Sequence, residues 1–240
     1  MSKVKVSIVI PAYNEEKSIE STLFSLLRSE QETNISYEVI LVDNNSTDNT
    51  VNVALKFKNG MNLRVVKETL QGRGAARARG FKEAEGEIIL SADADTILFK
   101  GWIEILVKEL EKGNSGVTTT CKIVEGDFLT RLTFNFSQPI IMRIYRILFG
   151  HFWLSGFSFG IKKEAYELSG GFDQSLQAQE DTDLSFKVTK LGKIKFINSP
   201  VTVSNRRFKK GLVRGYMEYI KTYFQAFVQD KENVYLNNPR

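Results

Sequence analysis

A single cysteine, Cys121, in 240 residues excludes an intramolecular disulfide and any cysteine-rich zinc site. Histidine is as scarce. With His151 alone, multi-histidine metal centres are excluded and a Ser-His-Asp relay has one candidate base, so carboxylates must carry the acid–base work. Long apolar runs are missing too. The most apolar stretch, 134–161, is broken by Arg143, Arg146 and His151 and stays short of the roughly 20 residues a membrane span requires. Met1-Ser2-Lys3-Val4-Lys5 lacks the apolar core and small-residue cleavage site of a signal peptide, so a cytoplasmic protein is expected. There is no internal repeat, low-complexity tract or flexible linker. The net charge of +5 is moderate, and its basic residues are dispersed among acids without a recognition motif. That argues against nucleic acid and leaves an anionic membrane or a phosphorylated substrate as partner.

With 42% hydrophobic and 25% charged residues the chain has the composition of a folded protein, of a size for one large domain or a domain with a small appendage. Its first hundred residues alternate β-branched runs with helical periodicity. Strands are predicted at 6–10, 38–42, 63–66 and 87–90. Helices are predicted around Ile19, Leu23, Leu26 and Leu27, around Val51, Ala54 and Leu55, and over 74–85. This is the pattern of a mainly parallel sheet covered by helices on both faces, whose strand ends converge on one crevice. A helix at 101–112 and a strand at 117–123 follow. Ile140, Ile141, Ile144, Ile147 and Leu148 then recur at helical spacing. They suit either a helix packed on the sheet or a surface that lies on lipid or grips a lipid-linked substrate. The same alternatives hold for Leu212, Tyr216, Tyr219, Ile220, Tyr223 and Phe227, behind the basic residues Arg206, Arg207, Lys209, Lys210 and Arg214.

Chemistry-bearing residues cluster at the predicted strand ends. Ser91-Ala92-Asp93-Ala94-Asp95 places two carboxylates one residue apart, the oxygen donors with which hard divalent cations hold substrate phosphates. After the first strand comes Pro11-Ala12-Tyr13-Asn14-Glu15-Glu16, where proline is expected to stop the ladder. After the second comes Asp43-Asn44-Asn45-Ser46-Thr47-Asp48. Ser46, Thr47 or Asp48 suffices to cap the next helix, which leaves Asp43 for a ligand. Gly72 to Gly80 joins small residues to Arg73, Arg77 and Arg79 at a helix start, suited to anionic oxygens or to a solvated face. It is neither a P-loop, lacking the lysine followed by Ser or Thr, nor a dinucleotide fingerprint. Gln179-Glu180-Asp181-Thr182-Asp183, after Gly170-Gly171-Phe172-Asp173, puts three acids in four positions. They complement a helix dipole or supply a general base.

In this order the motifs resemble the family 2 glycosyltransferases, over roughly residues 4–208. The resemblance implies an α/β GT-A fold with a Rossmann-like, mixed but mainly parallel central sheet flanked by helices, here 1–208. An amphipathic helical extension, 209–240, would pack on the domain or meet a membrane surface. It implies transfer of one sugar, with inversion, from a nucleotide diphosphate sugar, UDP-sugar favoured, to a hydroxyl of a saccharide or a polyprenyl-phosphate-linked acceptor. Pro11, Ala12, Tyr13, Glu15 and Asp43 would line the base and ribose, with Arg73, Arg77 and Arg207 joining the donor pocket. Asp93 and Asp95 would hold Mn2+ or Mg2+ on the diphosphate. Asp181 would be the base, with Glu180 and Asp183 supporting it. Ser204 stands where processive relatives carry glutamine, Asn44 where many carry a second aspartate, and no histidine follows His151. A sugar nucleotidyltransferase is the rival enzyme, but it would need a basic glycine-rich loop after the first strand. A catalytically silent sugar-nucleotide-binding or carbohydrate-binding relative is the rival outside enzymes, against which Asp93, Asp95 and Asp181 argue.

Overall fold

The computed structural model describes residues 4–30, 34–176 and 178–206 and the single positions 215 and 217. In chain order the elements are β1 (Val6–Ala12), α1 (Ile19–Glu30), β2 (Tyr37–Asp43), α2 (Thr50–Leu55), β3 (Leu63–Lys67), α3 (Arg73–Glu83), β4 (Ile88–Ser91) and β5 (Thr96–Ile97). Then come α4 (Trp102–Glu111), β6 (Gly116–Lys122), α5 (Phe128–Phe149), β7 (Phe159–Lys162), α6 (Lys163–Leu168), α7 (Glu180–Val188) and β8 (Ile194–Val203). Among the described residues the strands form one eight-stranded sheet ordered β3-β2-β1-β4-β7-β6-β8-β5. β3-β2-β1-β4 is parallel throughout. β7 runs antiparallel to both β4 and β6, β8 is parallel to β6, and β5 is antiparallel to β8. The sheet is therefore mixed, with its parallel half first in the chain.

Both faces of that half are buried, as βα crossovers require. Alternation along β1 sends Val6, Ile8 and Ile10 into one core with Leu23, Leu26, Trp102 and Leu106 of α1 and α4. Val9 enters the opposite core with Phe81 of α3 and Leu184 and Val188 of α7. The α3 packing is unusually close: a Cβ on Gly80 would lie 2.3 Å from Val9 and 2.9 Å from Val42. A Cβ on Gly74 would lie 2.6 Å from the carbonyl oxygens of Asp173 and Leu176. The glycines of the 72–80 run thus serve helix–sheet and helix–loop contact.

Two expectations are corrected by the structure. Pro11 does not end β1, where it pairs with Val42. The Val9 carbonyl faces β4 and accepts from Ala92 N, so Pro11, two residues on, faces the same side. β4 has ended by then, with Ser91 opposite Val9. The missing N–H of Pro11 therefore costs no ladder bond. Packing of α5 on the sheet through its isoleucine stripe, one of the two alternatives for that stripe, is the second. α5 buries Thr130, Phe134, Gln138 and Met142, while Ile140, Ile141, Ile144, Ile147 and Leu148 are exposed. Polar tethers select the buried face: Thr120 Oγ1 donates to Gln138 Oε1, and the Asn135 side chain bonds both the N–H and the carbonyl of Ile123. The stripe at 212–227 lies, position 215 and 217 apart, outside the described residues.

Candidate active site

The β1–α1 and β2–α2 loops meet at the carboxyl edge of the parallel strands and are bonded into one unit. Asn14, at φ 54°, accepts from Thr47 N through its side chain and donates its N–H to Ser46 Oγ. Asparagine is among the residues that most readily adopt this left-handed conformation. Glu15 N donates to Thr50 Oγ1 and Glu16 N to Asp48 Oδ2. An open cleft forms beside this unit. Pro11, Ala12, Tyr13 and Glu15 line it from β1 and its loop, Arg73 and Arg77 from α3, and Asp93 and Ala94 from the segment after β4. Seven residues predicted from sequence to bind the donor are thereby brought together.

Asp43 is placed differently. It is 8% exposed at the end of β2, and its Oδ1 accepts from Ser46 N. Asn44 lines the cleft, and its amide nitrogen donates to the carbonyls of Glu68 and Leu70 while its oxygen accepts from Gly72 N. The asparagine thus laces β2 to the loop that starts α3. An aspartate cannot donate, so Asn44→Asp would face two carbonyl oxygens with a carboxylate. The variant is expected to lose about 1–3 kcal/mol of stability, read as a lower urea midpoint.

Arg77 is the hub of the site. Its guanidinium, 2% exposed, bonds Asp93 Oδ1 at 2.6 Å, pairs with Glu180 Oε1, and donates to the Gly156 carbonyl at 3.1 Å. Burial opposes its charge, but Glu180, Asp93 and Asp181 more than offset this and hold its pKa above the ordinary arginine value. Burial raises the Glu180 pKa above its ordinary value against the pull of Arg77, and the Asp181 charge adds to that rise. With 2% of its surface exposed and Arg77 on its carboxylate, Glu180 is placed to position its neighbours rather than to meet a substrate. Arg73, one helical turn before Arg77, is near enough for its charge to act on Glu180. Arg79 turns away to Glu83, at 2.9 Å.

Asp181 stands beside this pair in the first turn of α7. Its Oδ2 accepts from Gly156 N at 2.9 Å and its Oδ1 from Thr182 N at 2.8 Å. Gly156 belongs to the connection between α5 and β7, where a Cβ would lie 2.6 Å from the Arg77 guanidinium and 3.3 Å from Asp181 Oδ2. Only glycine lets that backbone pass between the two groups. Asp183 pairs with Lys187 at 2.7 Å along its own helix. Gly170 and Gly171 take positive φ and deliver Phe172 to a ring cluster with Phe81, Phe159 and Tyr166.

Asp95 is reached by a residue that sequence reasoning placed only in a basic cluster. Arg206 bonds Asp95 Oδ2 at 2.5 Å and both oxygens of Glu15 at 2.9 Å. Although burial opposes its charge, Asp95 and Glu15 raise its pKa. Arg207, the arginine singled out from the sequence, lies outside the described residues, as do Phe208, Lys209, Lys210 and Arg214. The only advance signal for Arg206 was its place next to Arg207. Gly156 and the lacing role of Asn44 had none, since both depend on contacts far apart in sequence.

A protein-family model described as glycosyl transferase family 2 matches residues 7–168, which hold the paired-acid loop, Arg77 and the cleft at the ends of the parallel strands. The chain belongs to this family. It is 33% identical over 116 residues to the poly(ribitol-phosphate) β-N-acetylglucosaminyltransferase TarS of Staphylococcus aureus, an alignment spanning 48% of this chain and 20% of TarS. It is 32% identical over 124 residues to a dolichol-phosphate mannosyltransferase of Pyrococcus furiosus, spanning 51% of this chain and 34% of that protein. The match therefore spans only about 20% and 34% of these curated relatives' own lengths. The fold is shared with residues 1–349 of TarS solved with UDP-GlcNAc, at TM-score 0.66 and 23% identity, covering 83% of this chain and 58% of that one. It is also shared with the mannosyltransferase PcManGT of Pyrobaculum calidifontis, solved with GDP-Man and Mn2+, at TM-score 0.63 and 23% identity, covering 90% and 64%. The GT-A-type α/β architecture expected from the motifs is thus the observed one.

Proposed function

We propose that this family 2 chain moves one sugar from a nucleotide diphosphate sugar, with a UDP-sugar favoured, to an acceptor hydroxyl with inversion at the anomeric carbon. The catalytic unit of this reading is 1–208. The observation that carries it is the Arg77 hub, which joins Asp93 at the donor cleft to Glu180 beside Asp181. Asp181 would take the proton of the acceptor hydroxyl as its oxygen bonds to the anomeric carbon, while the bond to the diphosphate breaks and the nucleoside diphosphate leaves with the electron pair. Gly156 N and Thr182 N orient the Asp181 carboxylate for that transfer. Tyr13, Glu15 and Arg73 would hold the nucleotide, and Arg73 would add positive charge near the leaving group.

Asp93 and Asp95 are hard oxygen donors on one short segment, and no group of three or more His, Cys, Asp or Glu side chains gathers as a metal site among the described residues. That donor set fits Mg2+ or Mn2+ shared with a diphosphate and water. When bound there, the ion would neutralise charge developing on the diphosphate. The relatives' names favour glycan or lipid-phosphate acceptors: poly(ribitol-phosphate) for TarS, dolichol phosphate for the Pyrococcus enzyme. A lipid-linked acceptor would bring the chain to a membrane peripherally, and no helix among the described residues is long and apolar enough to cross one.

Thermal unfolding with UDP-, GDP- and dTDP-sugars, each with Mn2+ and with chelator, tests the donor half. At a ligand concentration of about 100 times Kd, stabilisation near 2.7 kcal/mol should raise Tm by roughly 5–10 °C for one nucleotide, and only with metal. Equal shifts with chelator would remove Asp93 and Asp95 from the ligand set. No shift with any donor would favour the silent carbohydrate-binding relative.

A further inference from the structure

The outward face of α5 is more apolar than its buried face. The helix buries Thr130 and Gln138 alongside Phe134 and Met142, yet leaves Phe136 72% and Ile147 82% exposed. Leu132, Ile140 and Ile144 extend the same exposed stripe over a helix of 22 residues, about 33 Å long. A helix of a water-exposed domain normally has the reverse arrangement. A continuous apolar stripe of this length marks an interaction surface.

Charge identifies the partner. α5 carries Arg131, Arg143 and Arg146 and no acid, and the nearest acids in sequence are Asp127, which caps its start, and Glu125. Arg143 lies over the Phe196 ring at 5.6 Å and Arg146 over the Phe152 ring at 5.2 Å, which fixes both along the flank of the stripe. Arg143 spends one Nη1 donor on the Pro139 carbonyl at 3.0 Å, and the remaining guanidinium donors of both arginines can meet anionic oxygens. Apolar side chains that insert, flanked by arginines that reach headgroups, are the make-up of a helix lying in the plane of an anionic membrane.

We propose that α5 is a membrane-contact surface that lies flat on an anionic phospholipid bilayer, inserting Leu132, Phe136, Ile140, Ile144 and Ile147 with Arg143 and Arg146 at the phosphates. Its position serves the acceptor. α5 ends at Phe149, and the segment that follows reaches Gly156, whose N–H holds Asp181. A hydroxyl or phosphate presented at a lipid surface is thereby brought to the side of the molecule that holds the base. The acceptor part of this inference rests on the lipid-linked reading above; the surface itself is tested separately from transfer.

The experiment is flotation of the full 240-residue chain with vesicles of phosphatidylglycerol and phosphatidylcholine in equal parts, and with phosphatidylcholine alone. The chain should float with the anionic vesicles and far less with the neutral ones. Ile144→Glu/Ile147→Glu should weaken binding about a hundredfold. Arg143→Gln/Arg146→Gln should weaken it about 25-fold, roughly fivefold for each arginine. Because the substituted residues are exposed, Tm without vesicles and nucleotide-sugar binding should match the parent. No flotation, or flotation that the α5 variants do not change, overturns the proposal. A dimer by light scattering that Ile144→Glu/Ile147→Glu dissociates assigns the face to a second copy instead. A Tm several degrees lower in that variant assigns it to residues 207–240 folding over it. Lost flotation with intact donor binding would leave the glycosyltransferase reading standing, whereas lost donor binding alone would leave the surface standing.

Discussion

Asp181→Asn is expected to lower the transfer rate about 10²- to 10⁴-fold while the affinity for the nucleotide sugar stays within about threefold of the parent. The substitution keeps the side chain's shape and removes its ability to take a proton. Asp181 accepts from two backbone donors, Gly156 N and Thr182 N, and the asparagine oxygen can satisfy only one. A stability loss of about 1–3 kcal/mol should therefore accompany the loss of rate. Single-turnover transfer and donor titration on the same sample separate the two effects. Full transfer by the variant would remove Asp181 as the base.

The second large effect concerns Arg77. Arg77→Met leaves Glu180, 2% exposed, and Asp93 without their shared cation, and should destabilise the fold by about 3–5 kcal/mol. At roughly 2–4 °C per kcal/mol for a domain of this size, Tm should fall by about 10 °C. Burial already raises the Glu180 pKa, and loss of the arginine should raise it further. A carboxyl with a raised folded pKa binds protons more tightly folded than unfolded, so its cost appears as pH rises and fades as pH falls. The deficit of Arg77→Met should therefore shrink toward acid pH, and Arg77→Met/Glu180→Gln should recover part of it at neutral pH. Urea unfolding across pH checks both. A variant as stable as the parent at neutral pH would show that Arg77 is not the electrostatic anchor of the site.

Much of the parallel half was legible because its signals are local. Apolar runs bounded by Pro, Asn, Asp and Gly mark β1, β2 and β4, and each ends where a candidate binding residue stands. Helical periodicity located α1, α3 and α4 within a few residues of their observed limits. Pro11 was misread as a strand breaker because its harmlessness depends on where β4 stops, which no local pattern encodes. Which way the stripe of α5 faces stays open in the sequence for a related reason. Periodicity shows that apolar residues share a face, but the buried face was chosen by Gln138, Asn135 and their partners on the neighbouring strand and its end.

In the site, residue types were readable and their pairings were not. Carboxylates at 93, 95, 180 and 181 with arginines at 73 and 77 announce anion and metal chemistry, since few other residues in a chain with one cysteine and one histidine could perform it. The sequence by itself determined the α/β class, the place of the candidate donor loops at the strand ends and the candidate base. Tertiary structure alone decided that Arg77 bridges residues 93 and 180, that Arg206 reaches Asp95, that Gly156 holds Asp181, and that α5 turns its isoleucines outward. The physical reason is range. Strand and helix patterns arise from backbone geometry repeating over a few residues, whereas a buried ion pair or a glycine-only passage exists only where segments distant in the chain come within hydrogen-bond distance.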